Sequence, residues 1–438
     1  MIVAFESLGA KTVMTLFKAP VSVAGQNEGR SIRITPLRGV DAKERGEELA
    51  KLLRRHTPVK QAMGFALAHP PATSPVPIYF RVASSSADSL PWEQLFFVPQ
   101  GFLALDARWP IGRIAKRVHD VRQRSFEAPF RIVAVLSAAG ETGNGKSQLE
   151  SLTRSVNAAR GNGLDVVLHV ISGDAAIINA VTGLGDPAVT ADWLAATPTE
   201  ITRQISDARP HILHVLCHGG YAAPGVAGLN FATALDFEGG AGMGSVVVSI
   251  DSLAGSMDRS TWLVVLAACE TAATEDGTSV APAVTQSAAH LLVNSGVPAV
   301  IGMREIVDLT AMNRFCRLVY PELLAIVTRA VADDGSSERI VEWAPALTAP
   351  RLASAGVDPV SDAAWSDPVL YVQHEELRVD MGGAVGALSG DELKAARGRL
   401  DEYLSFEQGL DPKTTPHGVI REVQAEIRRL RAIVGAAR

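Results

Sequence analysis

Two apolar runs constrain this chain more than any other feature. One reads His211-Ile-Leu-His-Val-Leu-Cys217-His218-Gly219, the other Thr261-Trp-Leu-Val-Val-Leu-Ala-Ala-Cys269-Glu270. Short runs this apolar read as central strands of a parallel sheet buried on both faces. In open α/β folds, the loops after such strands carry the chemistry. Here two strand ends deliver an imidazole, His218, and a thiol, Cys269, fifty-one positions apart. A thiol attacks well only as thiolate, and its free pKa of ~8.5 falls beside a protonated imidazole. The pair points to Cys269 as nucleophile and His218 as general base, then as acid to the leaving amine. Main-chain amides around Gly219 and Cys269 are the candidate oxyanion donors. Two glycines follow His218 and permit a sharp turn and close approach of a substrate backbone.

The remaining cysteines and histidines read as structure. If His218 points into the site, strand alternation sends Cys217 away from it. Cys316 sits among apolar residues of a helix and is expected in the core. His211 and His214 lie on the strand itself, where their spacing scatters the rings, so no metal site is expected. An odd, sparse set of three cysteines fits a reducing compartment rather than a disulfide framework.

The chain has 438 residues, 47% of them hydrophobic, which is enough for two or three packed domains. Its net charge of −6 steers it toward neither nucleic acid nor anionic membrane. The first 23 residues do not read as a secretory signal, and no apolar run is long enough to span a bilayer, so a cytoplasmic location is expected. Residues 1–125 read as a β-rich supporting subdomain. Residues 126–375 alternate strand and helix, as in a mostly parallel sheet flanked by helices. The strands expected there are Arg131–Ser137, Gly163–Val170, the two runs above and Val297–Met303. Residues 221–255 are rich in glycine and are expected to cross near the site as a loop or small hairpin. Residues 376–438 read as a helical extension, regulatory or partner-binding, with amphipathic stretches at 391–406 and 419–437.

Acidic residues near the nucleophile are candidates for substrate selection. Glu270 and Asp276 follow Cys269, and Asp251 follows the strand Ser245–Ile250. A carboxylate touching the thiolate would raise its pKa, so these groups are expected to face substrate, where they would favour a basic side chain.

These residues carry a resemblance. The stretches Leu90-Pro-Trp-Glu, Gly101-Phe-Leu-Ala-Leu-Asp, His214-Val-Leu-Cys-His-Gly-Gly, Val264-Val-Leu-Ala-Ala-Cys-Glu-Thr-Ala, Ser279-Val-Ala, Gly296-Val-Pro-Ala-Val-Ile-Gly-Met-Arg and Trp365-Ser-Asp-Pro-Val-Leu-Tyr run in one order over roughly 75–372. In this the chain resembles the CHAT domain family, caspase-like cysteine peptidases of the clan that holds caspases, separase and gingipain-like enzymes. The His–Cys separation is also that of caspases. The resemblance implies an α/β caspase-haemoglobinase-like sheet, catalytic His218 and Cys269, and no cofactor. It also implies a protein or peptide substrate and a regulatory partner in bacterial defence, sometimes with a gasdermin-like pore former as target. The chain departs from the family in having no repeat array and in Thr271-Ala272, where Thr-Gly is common. Cleavage-site preference varies in the clan and stays open.

A second motif competes. Gly140-Glu-Thr-Gly-Asn-Gly145-Lys146-Ser147 fits the phosphate-loop pattern and lies between an expected strand and helix. With Gly145, Lys146 and Ser147 on phosphate, the chain would be a nucleotide-binding switch or ATPase. Against this, no strand ends cleanly in the metal-binding acid such a hydrolase needs, Asp251 and Asp174 being the only choices. A polar turn after the first catalytic strand is the simpler reading. The third alternative is a non-catalytic scaffold that uses its helical tail.

Overall fold

The computed structural model describes residues 1–8, 11–71, 74–115, 124–223, 226–257, 260–268, 288–304, 309–332 and 338–381, with positions 394, 398–400, 403–405 and 427 beyond. Met1–Met381 form one compact unit and Gly382–Arg438 a second. The described positions of the second unit are helical.

The first unit opens with β1 (Ile2–Leu8), β2 (Lys11–Lys18), β3 (Gly29–Ile32), α1 (Ala42–Leu53), α2 (Thr57–Ala68), β4 (Ile78–Val82), α3 (Ser85–Asp88), β5 (Phe96–Phe97), β6 (Gly101–Phe102), β7 (Ile111–Ala115) and β8 (Arg124–Ser125). It continues with β9 (Phe130–Leu136), α4 (Thr142–Gly161), β10 (Val166–Ser172), α5 (Ala175–Leu184), β11 (Val189–Trp193), α6 (Pro198–Ala208), β12 (Ile212–Ala223), β13 (Val226–Phe231), α7 (Ala234–Glu238), β14 (Val246–Ser249) and α8 (Ile250–Gly255). Then come β15 (Leu263–Ala268), α9 (Ala288–Asn294), β16 (Ala299–Met303), α10 (Leu309–Ala332), β17 (Glu338–Val341), α11 (Thr348–Ala355), β18 (Pro368–Val372) and β19 (Leu377–Asp380).

One sheet runs through the unit in the order β11-β10-β9-β12-β15-β16-β18-β7-β4-β1-β2-β3, with β13 and β14 attached beside β12. From β11 to β16 every pairing is parallel. Strand β18 enters antiparallel to β16 and pairs in parallel with β7, so the N-terminal strands extend the same sheet. This mixed sheet flanked by helices, with its β-rich N-terminal region, is the expected caspase-haemoglobinase-like arrangement.

Alternation along the central strands sorts side chains into two cores. On β12, Ile212 and Leu216 join one cluster, while Leu213, Val215 and Cys217 join the other. On β15, Leu263, Val265 and Ala267 face the first cluster, and Val264 and Leu266 the second. Helices α4 and α10 cover the first face through Leu149, Leu152, Phe315 and Tyr320.

A buried polar cluster joins the N-terminal region to the central sheet. Arg113 on β7 meets Glu93 at 2.6 Å and Asp88 at 3.2 Å, and its side chain is 1% exposed. Asp88 also bonds His290 on α9 at 2.7 Å and the Tyr371 hydroxyl on β18 at 2.9 Å. Burial opposes its charge, yet His290, Arg113 and Tyr371 together hold its carboxyl below the ordinary value. The Leu90-Pro-Trp-Glu stretch is thus a structural clamp, with Trp92 fully buried and Glu93 inside the ion pair.

Candidate active site

Strand β12 carries His218 past the end of the parallel ladder. Its parallel register with β15 runs from Ile212↔Leu263 to Cys217↔Ala268. Beyond that point β12 leaves its parallel neighbours and pairs antiparallel with β13, His218 opposite Asn230 and Gly219 opposite Leu229. The glycine-rich segment after His218 is therefore a hairpin, extended by β14.

His218 is half-buried. Its Nε2 lies 3.0 Å from the carbonyl oxygen of Ala139, in the turn between β9 and α4. A carbonyl only accepts, so Nε2 carries a proton, and in the neutral ring Nδ1 then keeps its lone pair. A base whose far nitrogen is held by a third group has its tautomer and ring orientation set in advance.

Asn230 sits beside this histidine. Its Nδ2 donates to the Gly219 carbonyl at 3.4 Å, and its buried Oδ1 has no hydrogen-bond partner among the described residues. A Cβ on Gly220 would fall 2.7 Å from that amide. The second glycine after His218 thus makes room for Asn230. Nothing in the sequence marked Asn230 or Ala139, since one depends on hairpin register and the other acts through its backbone.

Cys269, Glu270 and Asp276 lie outside the described residues, as do Thr271 and Ala272. Asp251 is exposed at the start of α8, where its Oδ1 accepts from the Ser295 hydroxyl at 3.1 Å. Cys217 and Cys316 are both buried, and burial pushes the Cys316 thiol up to about 12. His211 stacks on Phe130 at 4.9 Å and accepts the Arg131 N–H through Nδ1 at 2.8 Å. Among the described residues, no three His, Cys, Asp or Glu side chains converge as a metal ion would need.

The phosphate-loop look-alike takes a different form. Helix α4 begins at Thr142, so Gly143 to Ser147 are already helical. The Gly145 N–H donates to Glu141 O at 2.9 Å, and the Ser147 hydroxyl to Gly143 O at 3.1 Å. A phosphate cradle needs successive amides free of such bonds. Gly145 has a packing reason instead, for a Cβ there would come 2.6 Å from Ile177 Cδ1. Lys146 is exposed on the helix surface.

A parallel sheet layered by helices, with an oriented imidazole at the tip of a central strand, defines an α/β protein with its candidate site at the carboxyl edge of the sheet. The chain belongs to the CHAT domain family, whose model matches residues 43–336. Comparison with curated proteins finds no significant match. Among solved structures, the Saccharomyces cerevisiae separase–securin complex is similar, with 13% identity and a TM-score of 0.36 over 75% of this chain. The chain spans 17% of that separase-complex chain. The Arg-specific cysteine proteinase gingipain R is similar with 9% identity and a TM-score of 0.38, covering 76% of this chain and 70% of that one.

Proposed function

We propose that this chain is a cysteine endopeptidase with His218 as base and Cys269 as nucleophile. One observation carries the reading. The last described ladder pair is Cys217↔Ala268, and the residues that follow these two in the sequence are His218 and Cys269. On this reading the thiol one residue past Ala268 meets the imidazole one residue past Cys217.

The chemistry follows from the roles. The unprotonated Nδ1 of His218 takes the thiol proton, and the Cys269 sulfur attacks the peptide carbonyl carbon. Amides at Gly219 and Cys269 meet the oxyanion, one such donor contributing ~3 kcal/mol to the barrier. The C–N bond breaks, His218 returns its proton to the leaving amine, and a thioester remains. Water, deprotonated by His218, hydrolyses it to a carboxylate and the free thiol.

The substrate on this reading is a protein or peptide, with a gasdermin-like pore former in a bacterial defence setting as one candidate. A regulatory partner acts through the 376–438 extension, 126–375 forms the catalytic domain and 1–125 its support. Asp251, Glu270 and Asp276 remain candidates for selecting a basic side chain. The test is cleavage of a diverse peptide library, read by mass spectrometry, with wild type and Cys269→Ala side by side and candidate partners added. Cleavage by wild type alone supports the reading. Cleavage by neither protein, or equally by both, removes it.

A further inference from the structure

The seam between α4 and α10 holds a chain of hydrogen bonds that the peptidase chemistry does not use. Tyr320 donates its hydroxyl to His214 Nδ1 at 2.7 Å. His214 Nε2 meets Gln148 Oε1 at 2.7 Å. Gln148 Nε2 donates to Asn313 Oδ1 at 3.1 Å, and Asn313 Nδ2 to Asn144 Oδ1 at 2.6 Å. Asn144 Nδ2 ends the chain on Glu141 Oε2 at 2.6 Å.

Its direction is forced from both ends. An ionised carboxylate only accepts, so Asn144 must turn its NH2 to Glu141, and each amide behind it follows. At the other end, burial lowers the His214 pKa to about 3. The ring is neutral, carries one N–H, and with Gln148 Oε1 as acceptor must take its second bond from Tyr320. Five donors therefore point the same way, from the core to Glu141, and such chains polarise cooperatively.

Glu141 closes the turn that holds His218. Its N–H donates to Ala138 O at 3.2 Å, and between them stands Ala139, whose carbonyl receives His218 Nε2. The near side of the turn is tied by main chain: Ser137 N–H donates to Leu216 O at 2.8 Å, and Ser137 O accepts from Ala232 N–H at 3.0 Å. On the far side Glu141 O accepts from the Gly145 N–H at 2.9 Å as α4 begins, and side chains add further ties, Glu141 to Asn144 and the Thr142 hydroxyl to Asp174.

We propose that Asn144 and Asn313 are positioning residues for His218. They fix the Glu141 side chain, which sets the Ala138–Glu141 turn and with it the carbonyl that selects the ring tautomer. This gives the phosphate-loop look-alike an occupation, since Glu141 and Asn144 both belong to it. The inference rests on the proposed role of His218, but it is read on the ring itself and so stands or falls apart from catalysis.

The test uses isosteric changes in the full chain. Asn313→Asp keeps the acceptor for Gln148 and removes the donor to Asn144. Asn144 then has an acceptor on both sides, so that either its carbonyl faces the carboxylate at position 313 or, turned over, it faces Glu141, and the single orientation of the chain is lost. Adding Glu141→Gln supplies a donor at that point and re-satisfies every bond. Histidine 15N spectra, assigned with His218→Gln, report the tautomer, and thermal unfolding is followed in parallel. All spectra are taken in a Cys269→Ala background, which removes the thiolate that would hold the ring as imidazolium. At a pH where the ring is neutral, His218 is expected there as the Nε2–H form. Asn313→Asp is expected to move it toward a mixture of tautomers, and the double variant to return it. An unchanged His218 signal in folded Asn313→Asp overturns the proposal. So does a shifted signal that the double variant fails to restore. The double variant also covers the case in which Asn313→Asp alone does not fold, since it must then fold and show the Nε2–H signal. Peptide cleavage is scored separately, so its absence in wild type counts against the peptidase reading and leaves the ring measurement to decide this one.

Discussion

The Nε2 of His218 lies 3.0 Å from the carbonyl oxygen of Ala139, and the next residue, Gly140, turns with φ +77°. That backbone angle costs an L side chain roughly 1–2 kcal/mol. A Cβ at Gly140 meets nothing within 4 Å among the described residues, so the penalty is conformational. Gly140→Ala is therefore expected to shift the Ala139 carbonyl without disturbing packing. Steady-state kinetics on any cleaved peptide should show a lower kcat with KM unchanged, and equal kcat would argue that the turn does not orient the base.

Gly220 and Asn230 make a second pair open to test. Gly220→Ala places a methyl 2.7 Å from the Asn230 amide, which is buried. The expected loss is about 1–3 kcal/mol, as for other overpacked sites. Removing the amide as well, in Gly220→Ala/Asn230→Ala, should recover most of it. Urea unfolding of the four proteins gives the coupling directly. Additive losses would mean that the two residues do not share the space.

The buried clamp around Arg113 has a definite sign. Breaking one half of a buried ion pair strands the other charge and typically costs ~3–5 kcal/mol. Arg113→Met should therefore destabilise strongly, since it strands the buried Glu93 and leaves Asp88 with only His290 and Tyr371. Arg113→Met/Glu93→Gln should be milder, because the stranded carboxylate is gone. Denaturant midpoints decide between this order and its reverse.

Glu342 gives a pH dependence. Burial pushes its carboxyl up to about 7, against hydrogen bonds from Tyr79 and the Ala344 N–H. Below the unfolded carboxyl's pKa of ~4.3 both states hold the proton. Between there and the folded value, only the folded state holds it, so stability falls as pH rises through that window and levels off above it. Glu342→Gln stays neutral at every pH. Its urea midpoint should fall less than that of wild type between about pH 5 and about pH 8. An unchanged difference between the two proteins at both pH values would contradict the assignment.

The central strands were legible because their chemistry is local. The runs ending at Cys217 and Ala268 became β12 and β15, and the strands at 131, 163 and 297 became β9, β10 and β16. Helix α1 begins where the Asp41 side chain accepts from the Glu44 N–H, a local cap. Other features depend on partners far away in the chain. The antiparallel pairing of β18 with β16, and its pairing with β7 more than two hundred residues upstream, join segments that no periodicity links. The helix expected after Gly140–Ser147 takes in most of that motif and begins at Thr142, because the positive φ needed for the turn falls on Gly140 while Gly143 and Gly145 are absorbed into the helix. Tyr320, His214, Gln148, Asn313, Asn144 and Glu141 are unremarkable residues in sequence, and only the packing of α4 on α10 strings them together.

The most direct measurement is the pH dependence of alkylation at Cys269, followed by mass spectrometry of its peptide in wild type and His218→Ala. Cys217 and Cys316, both buried, serve as internal controls. An imidazole beside the thiol predicts reaction well below the ~8.5 of a free cysteine in wild type, and a return to free-cysteine behaviour in His218→Ala. Identical profiles in the two proteins, or a Cys269 that never reacts, would contradict the account.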